Sequence, residues 1–370
     1  MNRSAYFLIV CISILFLLGL LMVFNTTSAE VLDHHDTFKL HLSLIKQMIY
    51  GFVGMAFAYY LCKMDYQTFY KTSYFLFWLF CIFLVLVFVP GIGLQKNGAQ
   101  RWIGMRSLSF QPSEFMKILM PIYYLAFFTR LKRPLILKSF LLILATLAIP
   151  IVLILFEPDN GSAGIMLVTL VALFYLTKVR WVYWGLPLLL MSVVGCVFAS
   201  KMKHVTDRIR VYLNPELDLL GKGHQPYQAK IAAGSGGLFG RGLGESMQKF
   251  SYLPEARSDY IAAIYAEELG FMGIMLLITL YMCIGYFGFK IAAHSSDKKG
   301  FYLASILTFI ICFQAFLNLG VVSGLLPSKG TNLPFFSHGG SSLIANMMLL
   351  GVLLSVAKKS EKTRMVSLNE

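Results

Sequence analysis

Asp259 is the acidic residue of this sequence with the clearest chemical setting. It stands near the end of a polar segment, 201–260, directly before a long apolar run. If a helix begins there, its 3.6-residue period places only small residues on the face below the carboxylate. That face consists of Ala262, Ala263, Ala266, Gly270 and Gly273. It either packs closely against another helix or lines a groove for a long lipid chain, below an acid that can exchange a proton with a substrate.

The polar segment before Asp259 also supplies cations. Arginine binds phosphate or pyrophosphate groups through paired hydrogen bonds, and lysine binds them as a point charge. The candidates are Arg208, Arg210, Lys230, Arg241, Lys249 and Arg257. Attraction to anionic lipid would explain the same residues, so both interpretations stay open. Glycines at 234–240 follow no strand, which excludes a dinucleotide fingerprint, and they allow a backbone that hugs a surface.

Other ionisable residues lie within or beside apolar runs, where a charge is costly. Glu114 and Lys117 are three residues apart, so a helix would place them on one face as an ion pair that fixes packing or supports a site. Asp159 follows a short turn and is expected to cap the next helix, with cation binding as the alternative. Glu267 and Glu268 are interpreted as structural.

Hydrophobic runs determine which elements position these residues. The 370-residue chain is 57% apolar and 14% charged, with a mean hydropathy of +0.69, which exceeds what a water-soluble core can bury. Crossing a bilayer takes roughly 20 helical residues. The candidate runs are 5–24, 47–62, 72–90, 115–129, 135–156, 162–177, 181–200, 261–289, 301–326 and 343–357. We therefore predict an all-α polytopic membrane protein of about ten transmembrane helices, one domain over 1–370, with a large extracytoplasmic loop, 201–260, between helices 7 and 8.

The net charge of +14 reflects membrane orientation rather than binding of nucleic acid. If both termini are cytoplasmic, lysines and arginines concentrate in the short cytoplasmic segments, as the positive-inside rule requires. Polar chemistry is then expected on the outer side, in 91–114, 201–260 and 327–342. All six cysteines lie within or at the edge of apolar runs, so the sequence predicts neither a disulfide framework nor a zinc site.

Short polar motifs separate the apolar runs along nearly the whole chain. They are GAQRWI at 98–103, FQPSE at 110–114, EPD at 157–159, IAAGSGG at 231–237, FSYLPEA at 250–256, SDY at 258–260, AEELG at 266–270, GLLPSKG at 324–330, NLPF at 332–335 and SHGGSS at 337–342. In combination they resemble the SEDS family of shape, elongation, division and sporulation proteins. The surroundings of Lys249 and Lys329 look more like the division branch, FtsW, than the elongation branch, RodA. Arg257, Ala262 and His338 depart from the family's usual His, Phe and Tyr at these positions.

The resemblance implies a peptidoglycan glycosyltransferase that polymerises lipid II on the outer face of the cytoplasmic membrane. It assigns the essential acid to Asp259, which would accept the proton of the acceptor hydroxyl as that oxygen attacks the donor sugar with inversion. Cations would stabilise the pyrophosphate leaving group, and a divalent ion, Mg²⁺ or Mn²⁺, could assist. Support roles are expected for Arg101, Glu114, Lys117, Asp159, Arg208, Arg210, Lys230, Lys249 and Lys329.

Partners and location also follow from the resemblance. The expected partners are lipid II, undecaprenyl pyrophosphate, a class B penicillin-binding protein with transpeptidase activity, other division proteins and membrane lipid, at the division septum. Two other functions fit the same sequence. One is a transporter that flips lipid II, which would use the same cavity and acids, and the other is a non-catalytic scaffold for the transpeptidase. Polymerisation of lipid II by the purified protein separates the enzyme from both.

Overall fold

The fold is known from a computed structural model, which describes residues 3–34, 37–96, 99–105, 108–131, 135–201, 212–218, 221, 223–249, 256–327 and 330–369. Helices make up most of these residues. Their bounds are α1 Arg3–His34, α2 Thr37–Lys63, α3 Tyr66–Leu86, α4 Pro112–Phe128, α5 Leu137–Phe156, α6 Asn160–Leu176, α7 Trp181–Lys201, α8 His224–Ser235, α9 Ile261–Ala293, α10 Lys298–Val322 and α11 Gly340–Asn369, with a 3₁₀ turn at Pro215–Asp218.

The helices confirm the prediction of an all-α polytopic membrane protein. Each of the ten predicted spans overlaps one helix, whereas α8 lies inside the predicted loop. Among the described residues, seven helices are long and apolar enough to cross a membrane, namely α1, α2, α3, α5, α9, α10 and α11. α4 and α6 have 17 residues each, and the part of α7 over Trp181–Leu190 is a shorter apolar helix. The exact count of ten spans therefore stays a prediction.

A small sheet interrupts the helices between α3 and α4, in a segment predicted only as polar. Strands β1 (Gly93–Lys96), β2 (Ala99–Met105) and β3 (Leu108–Phe110) pair antiparallel in that order. Alternation of polar and apolar residues is the usual sequence sign of a strand. Glycine, glutamine and lysine weaken that alternation here, so hydropathy alone did not predict the sheet. The sheet carries Arg101 on β2 and leads through β3 into α4.

Helix α1 continues well past the end of the predicted span at residue 24. Polar residues follow at that point, yet their hydroxyls donate to carbonyls one turn earlier, Thr26 to Met22 (2.9 Å) and Thr27 to Val23 (2.7 Å). A hydroxyl that bonds back to the helix needs no partner outside it. The helix can therefore continue through this polar stretch.

Contacts between the helix turns define one end of the bundle. The hydroxyl of Tyr66, at the start of α3, donates to Asp297, which caps α10 (2.6 Å), and Lys359 of α11 pairs with Asp65 (2.8 Å). The α2–α3 turn, the α9–α10 turn and the last part of α11 therefore lie together. We call this the α11 end. The start of α9, which follows Asp259, lies at the opposite end of α9 from this turn.

Candidate functional site

Asp259 is placed at the start of helix α9, as predicted. Tyr260 is the N-cap residue of α9, and Asp259 directly precedes it with a half-buried side chain. The small residues Ala262, Ala263 and Ala266 are buried below it. The acid is thus fixed to a rigid element, at the end of that element where backbone N–H groups have no partners inside the helix.

Helix α9 is interrupted at Gly270, which the 3.6-residue period did not reveal. Gly270 has φ 66° and ψ −162°, a conformation that side-chain-bearing residues rarely adopt. The broken turn frees backbone groups that would be costly inside a membrane protein. The glycine-rich loop supplies their partners, because Phe271 N–H donates to Gly237 O (2.9 Å) and Met272 N–H donates to Leu238 O (3.1 Å).

The loop that fills this break, residues 236–249, is here called the strap. Its glycines touch the backbone of α9. A Cβ on Gly236 would lie 2.0 Å from Ala266 O, and a Cβ on Gly240 would lie 2.0 Å from Glu268 O. A Cβ on Gly270 would lie 2.3 Å from Gly240 N. Around Gly270, the small residues therefore serve close backbone packing, the first of the two alternatives open from the sequence.

Two buried glutamates of α9 hold the strap in place. Glu267 accepts hydrogen bonds from Ser246 Oγ (2.5 Å) and Met247 N–H (3.1 Å). Glu268 pairs with Lys249 Nζ at 3.2 Å, and both side chains are almost fully buried. This agrees with the structural role expected of both acids.

Lys249 belongs to this network and not to an open cation site. Its Nζ donates to Asn25 Oδ1 (2.7 Å), to Gly244 O (2.5 Å) and to Glu268 Oε1 (3.2 Å). Asn25 of α1 in turn donates to the other carboxylate oxygen of Glu268. An ammonium group with three hydrogen-bond acceptors has used its three donors. These contacts therefore favour a role for Lys249 in positioning the strap over direct binding of a pyrophosphate.

The carboxylate of Asp259 rests against the 330–331 segment. A Cβ on Gly330 would lie 2.8 Å from Asp259 Oδ2. Asn318 of α10 joins the same two parts, because its Nδ2 donates to Asp259 O (2.8 Å) and to Thr331 O (2.6 Å). Two elements that are distant in sequence thus meet at the acid.

Asp159 approaches the same segment from helix α6. Its carboxylate caps α6 by accepting from Ser162 N–H (3.1 Å), the role expected from the sequence, and it also accepts from Gln111 Nε2 (3.3 Å). A Cβ on Gly161 would lie 3.6 Å from Asp159 Oδ1 and 3.1 Å from Gly330 O. Gly161 therefore lies next to both Asp159 and Gly330, which places Asp159 near the segment that Asp259 contacts.

Arg101 holds the turn that precedes Asp159. From strand β2 its guanidinium donates to Glu157 O (3.2 Å) and to Pro158 O (2.7 Å). Pro158 has a φ of 28°, far from the value near −65° that its ring prefers. Because Arg101 bonds both flanking carbonyls, its role in this structure is to stabilise the strained turn.

Glu157 was not singled out from the sequence, yet it is a prominent group of this region. Its side chain is fully buried, and over the described residues neither carboxylate oxygen has a hydrogen-bond partner. Burial, and next the charge of Asp159, raise the pKa of Glu157 to about 8, although Arg101 lowers it. The group therefore retains its proton near neutral pH. In the sequence, the one sign of a special role for Glu157 is its position between an apolar run and Asp159, the predicted cap of the next helix.

We expect Glu157→Gln to make the stability of the protein less sensitive to pH between about 4.5 and about 8. The pKa of Glu157 in the folded chain, about 8, exceeds the ordinary value of 4.5. The folded state therefore binds the extra proton, and stability is lost as the pH rises from about 4.5 to about 8, by up to about 1.4 kcal/mol per pH unit. Glutamine has no proton to lose, so the thermal midpoint of the variant should exceed that of wild type increasingly from pH 5 to pH 8. For the exposed control Glu245→Gln, the plot of thermal midpoint against pH should run parallel to that of wild type. A parallel plot for Glu157→Gln would contradict the raised pKa of Glu157.

Glu114 and Lys117 form the ion pair that their spacing predicts. Lys117 Nζ lies 2.8 Å from Glu114 Oε1 in the first turns of α4, and both side chains are buried. Gln111, which precedes α4, links this helix to Asp159 and donates through its N–H to Ser341 Oγ (3.0 Å). The pair thus lies in the helix that packs next to the Asp159 turn.

The remaining predicted cations have different surroundings in the part of the chain that the structure describes. Lys230 is exposed on α8, and its side chain crosses Gly324, whose Cβ would lie 2.0 Å from Lys230 Cε. Arg241 pairs with Glu267 at 3.4 Å. Arg208, Arg210 and Lys329 lie outside the described residues. Their support roles stay predictions.

An apolar cavity of about 120 Å³ lies between α6 and α10, next to the 330–331 segment. It is lined by Gly161, Gly164, Val168, Phe313, Leu317, Val321, Leu326, Pro327 and Thr331. Thr331 contributes the only side-chain polar group of this lining. The described lining of this cavity suits an apolar group.

Two of the three positions that depart from the family pattern are neighbours in space. His338 N–H donates to Arg257 O (3.0 Å), so the residues before α11 contact those before Asp259. The third, Ala262, is fully buried in the first turn of α9. Both Arg257 and His338 therefore lie within the segments that frame the acid.

Comparison with known proteins agrees with this architecture. The FtsW/RodA/SpoVE profile, described as cell cycle proteins, matches residues 5–362. The chain is 38% identical over 369 residues to stage V sporulation protein E of Bacillus subtilis, covering 97% of this chain and 98% of that protein. It is 36% identical over 361 residues to the probable peptidoglycan glycosyltransferase FtsW of Coxiella burnetii, with 96% of each chain covered.

Two solved structures are similar over nearly the whole fold. The first comes from a study entitled "Structural coordination of polymerization and crosslinking by a peptidoglycan synthase complex", with a TM-score of 0.76, 25% identity, and 95% of this chain and 97% of that chain covered. The rod shape determining protein RodA of Thermus thermophilus has a TM-score of 0.67 and 24% identity, with 95% of both chains covered. Because the profile match spans almost the entire sequence, the chain belongs to the FtsW/RodA/SpoVE family of cell cycle proteins.

Proposed function

We propose that this protein is a peptidoglycan glycosyltransferase that polymerises lipid II into glycan strands at the outer face of the cytoplasmic membrane. The placement of Asp259 carries the proposal. A half-buried carboxylate stands at the start of a membrane helix, fixed on its main-chain side by Asn318 and bordered on its carboxylate side by Gly330. Two relatives named as probable peptidoglycan glycosyltransferases match 92% and 96% of the chain. An acid that is held rigidly at a membrane surface suits chemistry on a lipid-linked sugar.

The proposed reaction is a single displacement with Asp259 as general base. The carboxylate accepts the proton of the acceptor sugar's 4-hydroxyl while that oxygen bonds to the anomeric carbon of the donor sugar. The bond from this carbon to the pyrophosphate oxygen breaks, and its electron pair leaves with undecaprenyl pyrophosphate. Because attack and departure occur on opposite faces, the configuration at the anomeric carbon inverts.

The leaving group requires positive charge but no strong acid. Lys230 and the predicted Arg208, Arg210 and Lys329 are the residues of this chain that we propose for contacts with the pyrophosphate, because Lys249 is already engaged within the strap. A magnesium or manganese ion would add charge there. No cluster of three or more histidine, cysteine or acidic residues exists within the described ranges to hold such an ion. It would take most of its ligands from phosphate and one from the carboxylate of Asp159.

We also propose an orientation, with both termini in the cytoplasm and Asp259 facing outward. Lys359 and the α9–α10 turn lie at the α11 end, and the short basic segments near them suit the inner surface by the positive-inside rule. Asp259 lies at the other end of α9. Labelling of a cysteine introduced at position 294 by a membrane-impermeant reagent in intact cells would contradict this orientation.

A class B penicillin-binding protein is the proposed partner, at the division septum together with other division proteins. The similar solved structure belongs to a synthase complex that couples polymerization and crosslinking. We propose that this partner, and not the present chain, carries the nucleophile that crosslinks the peptides. We expect such a partner to co-purify with the tagged chain and to raise its polymerisation rate.

Reconstitution separates the three functions that fit the sequence. In detergent micelles lipid II needs no transport, so a polymerase should convert it into glycan strands, and a transporter or a scaffold should not. In liposomes with lipid II confined to one leaflet, a transporter should equalise the leaflets without forming polymer. We expect polymer in micelles from the wild type and none from Asp259→Asn. Absence of polymer with and without the transpeptidase partner would contradict the proposed function.

A further inference from the structure

Asn318 is a polar residue in the apolar helix α10, and the proposed mechanism has not used it. Its side chain is almost completely buried, with 1% exposed. Both hydrogens of its Nδ2 are used, one on the carbonyl of Asp259 (2.8 Å) and one on the carbonyl of Thr331 (2.6 Å). Two carbonyl acceptors fix the orientation of the amide, because only its nitrogen can donate to them. One side chain thus bonds the main chain of the acid to the main chain of a segment 72 residues later.

Gly330, the residue before Thr331, completes the arrangement. Its φ is not in the left-handed region, so an alanine could adopt its backbone conformation. The obstacle to alanine is space, because the added Cβ would lie 2.8 Å from Asp259 Oδ2. The backbone at Gly330 therefore forms a wall against which the carboxylate rests.

We propose that Asn318 and Gly330 are positioning residues for Asp259. The Asn318 amide fixes both the main chain of the acid and the segment that forms this wall, so the carboxylate has one defined place relative to α10. The inference rests on the proposed function, because it assigns these residues the task of holding the general base of that reaction.

The required accuracy explains why two such contacts are needed. A catalytic group has to stay within about 0.5 Å of its productive position, and a displacement of about 1 Å costs on the order of 100-fold in rate. Loss of the Asn318 amide would remove one donor from each of the two carbonyls and would release the segment from the acid. A methyl group at Gly330 would displace the carboxylate directly.

The test measures lipid II polymerisation and thermal unfolding for Asn318→Ala and Gly330→Ala. For both variants we expect kcat to fall about 10- to 100-fold, KM to stay within about threefold, and the protein to remain folded. The matched controls are Gln314→Met, equally buried one turn earlier on α10, and Gly234→Ala, a helical glycine with open space around it. Both controls should retain wild-type kcat.

The outcomes separate this inference from the proposed function. If Asp259→Asn is inactive and both positioning variants keep kcat within threefold, the inference is wrong and the function stands. A rise in KM with unchanged kcat would likewise contradict positioning and indicate a binding role. If Asn318→Ala does not fold, Gly330→Ala decides alone, because it removes no hydrogen bond. If the wild type makes no polymer, the proposed function itself fails.

Discussion

Replacing Asp259 by asparagine is expected to lower the polymerisation rate about 100- to 10,000-fold while the protein stays folded. Asparagine has the same shape but cannot accept the proton of the attacking hydroxyl, and removal of a general base costs about 10² to 10⁴ in rate. The main-chain bond from Asn318 to residue 259 does not depend on the side chain there, so the fold is preserved. The measurement is the initial rate of glycan formation in micelles, with folding checked by thermal unfolding.

The matched control for this variant is Asp218→Asn. Asp218 lies in the same polar segment, in the 3₁₀ turn Pro215–Asp218, which contacts α8. Its replacement removes an equal charge and should leave the rate unchanged. Equal activity of wild type and the folded Asp259→Asn protein would exclude Asp259 as the base and leave the scaffold as the better description of this chain.

Lys249→Met is expected to destabilise the protein more than any other single charge removal discussed here. Without Lys249 the carboxylate of Glu268 remains buried with only the Asn25 amide as a partner. Breaking a buried ion pair on one side typically costs about 3–5 kcal/mol. The thermal midpoint in detergent should fall by several degrees, whereas the exposed control Lys138→Met should not change it.

A second substitution shows whether the loss comes from the unpaired charge. In the double variant Lys249→Met with Glu268→Gln no buried charge is left, so part of the lost stability should return. Activity should follow the stability of the strap, because the strap fills the break in α9 below Asp259. A double variant that is less stable than Lys249→Met alone would show that the contacts, and not the unpaired charge, carry the energy.

Local sequence pattern predicted the features that depend on neighbouring residues. The apolar runs predicted the helices, since an uninterrupted run that long has few other solutions. The spacing of Glu114 and Lys117 predicted their ion pair, and the turn before α6 predicted the capping role of Asp159. Glycines at 234–240 predicted a backbone that hugs a surface, and the strap does so.

Features that depend on distant residues did not follow from the sequence. The break at Gly270 is stabilised by hydrogen bonds from a loop about thirty residues earlier, and no local period reports such a partner. From the sequence, Lys249 is a candidate for binding the pyrophosphate. Its partner Asn25 is 224 positions away, so no local pattern shows that Lys249 is already engaged. Asn318 offered a signal, since it is one of two amides, with Gln314, within an apolar run, and polar groups at such depth commonly have a function. Its two acceptors became known only from the fold.

The most direct test of the central claim is the configuration of the newly formed sugar linkage in a single transfer. Purified protein would receive lipid II whose own acceptor 4-hydroxyl is blocked, so that it acts only as donor, and an acceptor that cannot itself act as a donor. The product would be analysed by mass spectrometry and NMR. A single displacement with Asp259 as base predicts one added disaccharide with an inverted anomeric centre from wild type, and no product from folded Asp259→Asn. Retained configuration, or equal product from both proteins, would contradict it.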